Sequence, residues 1–445
     1  MRIFDFLFSL VFGPGLSAAV FGCGIALTLS LGLFKRPGKL ITALRPEKGG
    51  GMSSARAMCV ALAGTLGVGN IAGVASAIAI GGDGAVFWMI VSSFFAMAIK
   101  YAETVLALGH RRKLFGTFHG GAFFVFEDLG TGFSRFSAYL FAVLCVLSSF
   151  MIGSSVQSDA AAACLEMTFG VDPRISGAVL GILAFFVVSG GLSRISDVTS
   201  AAVPVASIGI VVISFYIIIA NLGLIPSVIS SIISDALGTG AFSGGIFGFL
   251  TSRTLSIGVA RGVVSNEAGC GTAPIAHSSS DVKIPAVQGV WGMLEVAIDT
   301  PVLCTLTALV VLIARERGVV LTSDGMETAL MAYGEFIPFS GIFLSAAVTI
   351  FAFAAMICWF YYGSESLRFI SGGRRWKALT RVYSVFYSFA VFFGAFVPGG
   401  ILWSLSDISI SAMTILNLFC VMRCLPAIKR ETDAYFGGSW NSVSN

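Results

Sequence analysis

Charge is scarce in this sequence. Of its 445 residues only 11% are Asp, Glu, Lys or Arg while 56% are hydrophobic, against roughly 25% charged residues in soluble chains. A separate soluble domain is therefore not expected, nor is a basic surface of the kind that binds nucleic acid. Histidine is rarer still: His110, His119 and His277 are all there is, and none stands at a metal-ligand spacing or completes a nucleophile triad. No catalytic residue, no protein-bound metal and no cofactor are expected, and an integral-membrane enzyme is a distant reading because a paired acid and base is missing. The nine cysteines lie scattered, mostly inside apolar runs and without CxxC clustering. They read as small buried apolar residues.

What the chain has in abundance is apolar length. A mean hydropathy of +0.92, with 39 Phe and 53 Gly, implies an all-α polytopic membrane protein of about eleven transmembrane helices. The apolar runs fall near 7–34, 57–81, 85–109, 136–166, 176–191, 198–220, 240–275, 286–314, 338–363, 379–397 and 400–420. The first is too long for a signal peptide and is followed by a basic loop, so it reads as a retained span. Lys and Arg concentrate in alternate loops, at 35–56, 111–135 and 368–381 and in the tail; with eleven spans roughly twenty of the 27 face the cytoplasm. This places the N-terminus outside and the C-terminus inside. Setting aside an N-terminal extra helix over 1–34, ten spans divide into five-helix repeats over 57–220 and 240–420, ahead of a cytoplasmic tail over 421–445. Five is odd, so the repeats have opposite orientations.

The first helix of each repeat is interrupted by glycine. One reads Gly64-Thr65-Leu66-Gly67-Val68-Gly69-Asn70-Ile71-Ala72-Gly73; the other runs from Gly258 to Gly271 and contains Arg261, Asn266, Glu267 and Gly269. A helix breaks within hydrocarbon only where protein or a watery cavity satisfies the freed backbone groups. Two such breaks suggest one shared polar cavity, the construction of many secondary transporters. At the first, Gly67 and Gly69 let carbonyls and amides turn toward a ligand, and Asn70 adds an amide that donates and accepts; close helix packing is the competing reading. At the second, Glu267 is expected to pair with Arg261 or Arg253, as a structural brace or a gate, while backbone from Asn266 to Gly271 lines a solute site.

Three further polar residues stand within apolar runs. Gln157 suits the ammonium or carboxylate of an amino acid, or an interhelical hydrogen bond. Trp359 either closes over a small solute or sits in an interfacial aromatic belt. Asp299, in Ile298-Asp299-Thr300-Pro301, is an intramembrane carboxylate with a proton-linked or structural role.

Together these residues resemble the alanine or glycine:cation symporter family of the amino acid/polyamine/organocation transporters. The resemblance runs through Gly69-Asn70-Ile71-Ala72-Gly73, Lys100-Tyr101-Ala102-Glu103, Gly258-Val259-Ala260-Arg261-Gly262, Ser265-Asn266-Glu267-Ala268-Gly269, Ala273-Pro274-Ile275-Ala276-His277 and Asp299-Thr300, and it covers nearly the whole chain. It implies a LeuT-like 5+5 inverted repeat with discontinuous helices in a bacterial plasma membrane. It also implies import of a small neutral amino acid, alanine or glycine in D or L form, by sodium symport. Asn70, Gln157 and Trp359 match family positions that line the substrate site. Cation-site positions map to Thr65, Gly67, Asn70, Ala354 and Ala355, but the last two replace the family's Ser-Thr pair and supply no side-chain oxygen. A proton is the other coupling ion to consider. A proton-coupled or uncoupled permease or exchanger, and an amino-acid sensor derived from a transporter, are the alternatives.

Overall fold

A computed structural model of the protein describes residues 15–45, 51–114, 116–238, 253–337, 339–397 and 399–437, the side chains of 399–403 excepted. The chain opens with α1 (Leu16–Leu31) and the short α2 (Pro37–Ala43). The first broken helix follows as α3 (Ser54–Thr65) and α4 (Ala72–Gly81), and then comes α5 (Gly84–Gly109). A hairpin of two three-residue strands, β1 (Arg112–Leu114) and β2 (Thr117–His119), leads to α6 (Ala122–Asp128). Next are α7 (Gly132–Phe150), α8 (Val156–Phe169), α9 (Pro173–Val188), α10 (Gly191–Ala220) and α11 (Ile225–Ala236). The second broken helix is α12 (Arg253–Asn266) with α13 (Ala273–His277). The remainder comprises α14 (Pro285–Ala297), α15 (Thr305–Glu316), α16 (Gly325–Gly334), α17 (Ser340–Ile370), α18 (Trp376–Gly394), α19 (Gly399–Arg423) and α20 (Leu425–Gly437).

Helix occupies most of the described part of every expected apolar run; 7–14 of the first, 240–252 of the seventh and 338 of the ninth lie outside the described residues. Among the described residues seven helical stretches are long and apolar enough to cross a membrane by length and composition: Leu16–Lys35, Gly84–Gly109, Gly132–Phe169, Gly191–Ala220, Pro285–Glu316, Ser340–Ile370 and Ser404–Arg423. The broken helices fall short of that length because each is interrupted. Exposed Phe, Ile, Leu and Val side chains on α9, α10 and α18, such as Ile182, Phe186, Val212 and Phe386, give those helices the apolar outer surface that lipid requires.

Equivalent members of the two halves pack on each other. The second helices pair as α5 with α14, the third as α7 and α8 with α17, and the fourth as α9 with α18. The broken helices meet crosswise, α3 against α13 and α4 against α12. That crossing is what two copies of opposite orientation produce, so the packing matches the LeuT-like inverted repeat. Small residues set the distances: a Cβ on Gly258 of α12 would lie 2.4 Å from the Ala85 carbonyl oxygen of α5, and one on Gly177 of α9 2.7 Å from that of Phe392 on α18. Backbones approach this closely only where side chains are absent.

Several described elements lie outside the expected apolar runs, among them α11, α16 and α20. Helix α11 crosses the N-terminal end of α5, where Asp83 bonds to Ser231 and Arg315. Helix α16 packs on α4, with the Asp324 carboxylate capping its first turn through Met326 N and Glu327 N. The expected tail contains α20, which packs against α5 and α14, and Tyr101 Oη donates to Thr432 Oγ1 at 3.1 Å.

Candidate functional site

Helix α3 ends at Thr65, Gly67 is extended, and a single 3-10 turn over Val68–Asn70 leads into α4. The released amide of Val68 donates to Gln157 Oε1 at 3.1 Å. A Cβ on Gly67 would come within 2.8 Å of that same oxygen, so glycine is required for Gln157 to reach the break. Gln157 itself starts α8 just after a π-turn at Met151–Ser155, an irregularity that often marks functional positions in helices.

The second break is more open. Glu267, Gly269 and Gly271 all take positive φ, at 50°, 85° and 80°, and a non-glycine residue held there carries local strain. Glu103 of α5 and Asn417 of α19 brace the unwound backbone. Glu103 Oε2 accepts from Gly271 N at 3.2 Å and from Asn417 Nδ2 at 2.8 Å, and the same Asn417 nitrogen donates to the Gly269 carbonyl at 2.9 Å. Behind them Lys100 lies 3.4 Å from Glu295 and 3.7 Å from Glu103, while His277 of α13 is 2.7 Å from Glu295. These charges are buried together, which a low-dielectric interior tolerates only in such paired form.

The two breaks face one cavity. Gly64, Thr65, Gly67, Gly69, Ile152, Gln157, Val264, Glu267 and Trp359 line one small cavity of about 10 Å³. Trp359 is 1% exposed, so the interfacial-belt reading gives way to the cavity one. A Cβ on Gly153 would fall 2.3 Å from Trp359 Cβ, and Tyr387 Oη donates to the Gly153 and Met356 carbonyls, so the indole is seated by a glycine and a tyrosine that sequence reasoning did not single out. On the α4 side a wider cavity of about 330 Å³ is lined by Val68, Ser76, Asp159, Arg261, Asp324 and Met326 among others.

Other expectations are redirected. Glu267 does not pair with Arg261 or Arg253: its carboxylate accepts from Thr272 Oγ1 at 2.5 Å and lines the central cavity, while Arg261 lies 3.9 Å from Asp407 of α19. The reason is the positive φ of Glu267, which takes its side chain off the helical path on which Arg261 lies. Asn266 caps the break, accepting from Ala268 N and donating to Thr300 Oγ1. It and Gly269 form the break without lining the cavity. Ala354 and Ala355 are fully buried on α17, and Thr65 Oγ1 donates to the Leu62 carbonyl at 3.2 Å.

Asn70 turns away from the cavity to a polar knot. Its Nδ2 lies 2.7 Å from Asp299 Oδ1, 3.1 Å from Ser265 Oγ and 3.3 Å from Cys304 Sγ. Ser265 Oγ and Thr300 Oγ1 donate to Asp299 Oδ2 at 2.8 Å and 2.7 Å. Asp299 occupies a π-helical stretch, Ile298–Cys304, that contains Pro301; proline lacks the amide a regular helix needs there.

Comparison with known proteins agrees with this architecture. A model of the sodium:alanine symporter family matches residues 1–441. The sodium/alanine symporter AgcS of Methanococcus maripaludis is 34% identical over 96% of this chain and 95% of its own. The amino-acid carrier protein AlsT of Bacillus subtilis is 32% identical over 94% and 87%. In fold the chain is similar to a solved Na+-coupled sialic acid symporter in a substrate-bound outward-open state, with a TM-score of 0.61 and 13% identity over 91% of this chain and 86% of that one.

Proposed function

Because this chain belongs to the sodium:alanine symporter family, we propose that it is a secondary active transporter, importing a small neutral amino acid, alanine or glycine, by cation symport. One observation carries the reading: a single enclosed cavity bounded by both helix breaks, with Gln157, Glu267 and Trp359 in its wall. Glu267 offers an α-ammonium group a counter-charge, and Gln157 and backbone at the first break offer a carboxylate hydrogen bonds. Trp359, Ile152 and Val264 supply the apolar part of the wall, against which a short side chain would pack once the small cavity opens. The wider cavity beside Val68 is the approach from outside, and Arg261, 3.9 Å from Asp407, stands at its wall. The protein spans the plasma membrane with its C-terminus inside, and nothing in this cavity calls for bond chemistry.

Sodium is the expected coupling ion, as the name of the sodium/alanine symporter AgcS has it. The absence of hydroxyls at Ala354 and Ala355 favours a second reading, in which a proton drives uptake. Proteoliposomes separate the two. Labelled D-alanine, L-alanine and glycine are offered under an inward sodium gradient or an inward proton gradient. Uptake under sodium supports the first reading, uptake under protons alone the second, and no uptake of any of them under either gradient refutes transport of this class.

A further inference from the structure

Helices α9 and α18 form an apolar groove that plays no part in holding the solute. It measures about 570 Å³ and is lined by Ala178, Gly181, Ile182, Phe186, Ser388 and Phe389 among others. Small residues make its floor: a Cβ on Gly181 would lie 2.9 Å from the Ser388 carbonyl oxygen, so glycine lets the two backbones meet there. Large ones make its rim, where Ile182, Phe186 and Phe389 stand exposed. The one polar side chain in the lining, Ser388, donates its hydroxyl to the Ser384 carbonyl at 2.9 Å. A polar solute finds no partner in such a wall, whereas hydrocarbon needs none.

The two ends of the groove differ in charge. At one end Arg194 Nη1 donates to the Phe186 carbonyl at 2.6 Å, a bond that uses one of the five donors of a guanidinium. On α18 the lining residues Val385, Ser388, Phe389 and Phe392 follow helical spacing, and the exposed Arg381 stands one turn before them on the same stripe. Arg374, Arg375 and Lys377, also exposed, lie where the chain enters α18 at this end. No Asp or Glu occurs between Asp172 and Asp197 or between Glu365 and Asp407, and Asp197 is bonded to Arg56. The other end has one residue of each sign, Asp172 and Arg174.

We infer that the groove between α9 and α18 binds an acyl chain of an anionic phospholipid, whose phosphate is held by Arg194 and Arg381 in the leaflet next to the basic loops. From Ala178 to Phe186 the groove runs about 12 Å along the helix, close to the roughly 15 Å of hydrocarbon in one leaflet. Basic pockets between membrane helices on the cytoplasmic side suit anionic headgroups. The site also reaches the solute cavity. Helix α18 gives Phe389 and Arg381 to the groove, and from its buried side Tyr387 Oη donates to the Gly153 and Met356 carbonyls that seat Trp359. A lipid that fixes α18 therefore steadies the indole as well.

Native mass spectrometry of the purified, delipidated full-length protein tests this, with phosphatidylglycerol, phosphatidylcholine of the same chains, and glycerol phosphate as probes. The wild type is expected to retain one phosphatidylglycerol, to bind phosphatidylcholine severalfold more weakly, and not to bind glycerol phosphate. Arg194→Gln combined with Arg381→Gln weakens phosphatidylglycerol binding by about tenfold or more and leaves phosphatidylcholine unchanged. Arg381→Gln alone, at an exposed position, serves if the double variant does not fold and weakens it about fivefold. Ala178→Phe narrows the groove and weakens both lipids. Equal affinity of the wild type for the two lipids overturns the inference, as does wild-type lipid binding in the arginine variants or in Ala178→Phe. Glycerol phosphate bound as tightly as the lipid would make this a phosphate site, and a dimer that excludes lipid would make it an interface between copies; either result overturns it too.

Discussion

In the proposed site Gln157 and Glu267 would make complementary demands on a solute, one a neutral amide reached only because residue 67 is glycine, the other a carboxylate held at positive φ. Replacing a charged hydrogen-bonding group in such a cavity costs about 1.5–3 kcal/mol. Accordingly, Glu267→Gln and Gln157→Ala should each slow the initial rate of alanine uptake by about tenfold or more, while eluting as monodisperse protein. Wild-type rates in both variants would remove these side chains from the substrate site. At this scale the sequence was legible where a residue's own chemistry was unusual: glycine-rich breaks, a lone Gln157, a lone Asp299. It was silent on partners. Asn70 meets Asp299 across 229 positions, and Arg261 meets Asp407 of another helix rather than nearby Glu267; local spacing contains neither fact.

Among elements, the second break depends on groups that never touch the cavity. Glu103 and Asn417 hold its unwound backbone, and Lys100 with Glu295 and His277 closes the charge behind it. Asn417→Ala leaves the Gly269 carbonyl and Glu103 short of a donor and is expected to lower stability by about 1–3 kcal/mol. Lys100→Met strands two buried carboxylates and should cost about 3–5 kcal/mol. Thermal unfolding of the purified protein, followed by tryptophan fluorescence, orders the two; a Lys100→Met protein as stable as the wild type would show that the cluster does not brace the break. The broken helices were readable because glycine clusters interrupt hydropathy. Helices α11 and α16, the β-hairpin and α20 were not, since each is short, mixed in composition and stabilised by the surface it covers.

For the whole molecule, the like-with-like packing of α5 with α14, α7 and α8 with α17, and α9 with α18 fits a duplicated, inverted chain. The count of apolar runs and the bias of Lys and Arg carry the same architecture in the sequence. On the proposed orientation 167–175, around the turn from α8 to α9, would lie outside the cell, on the side opposite the basic loop at 35–56. A cysteine introduced at 170 should react with an impermeant maleimide added to intact cells. Protection there, with labelling only after lysis, would reverse the orientation and with it the direction of import.

The central claim is that the shared cavity couples an amino acid to a cation gradient. Accumulation of labelled alanine in wild-type proteoliposomes, measured with an imposed inward sodium gradient before and after a sodium ionophore, addresses it directly. The account predicts that internal alanine rises above the external concentration and falls back when the gradient is collapsed. Alanine that only equilibrates, unaffected by the ionophore, would contradict sodium-coupled transport.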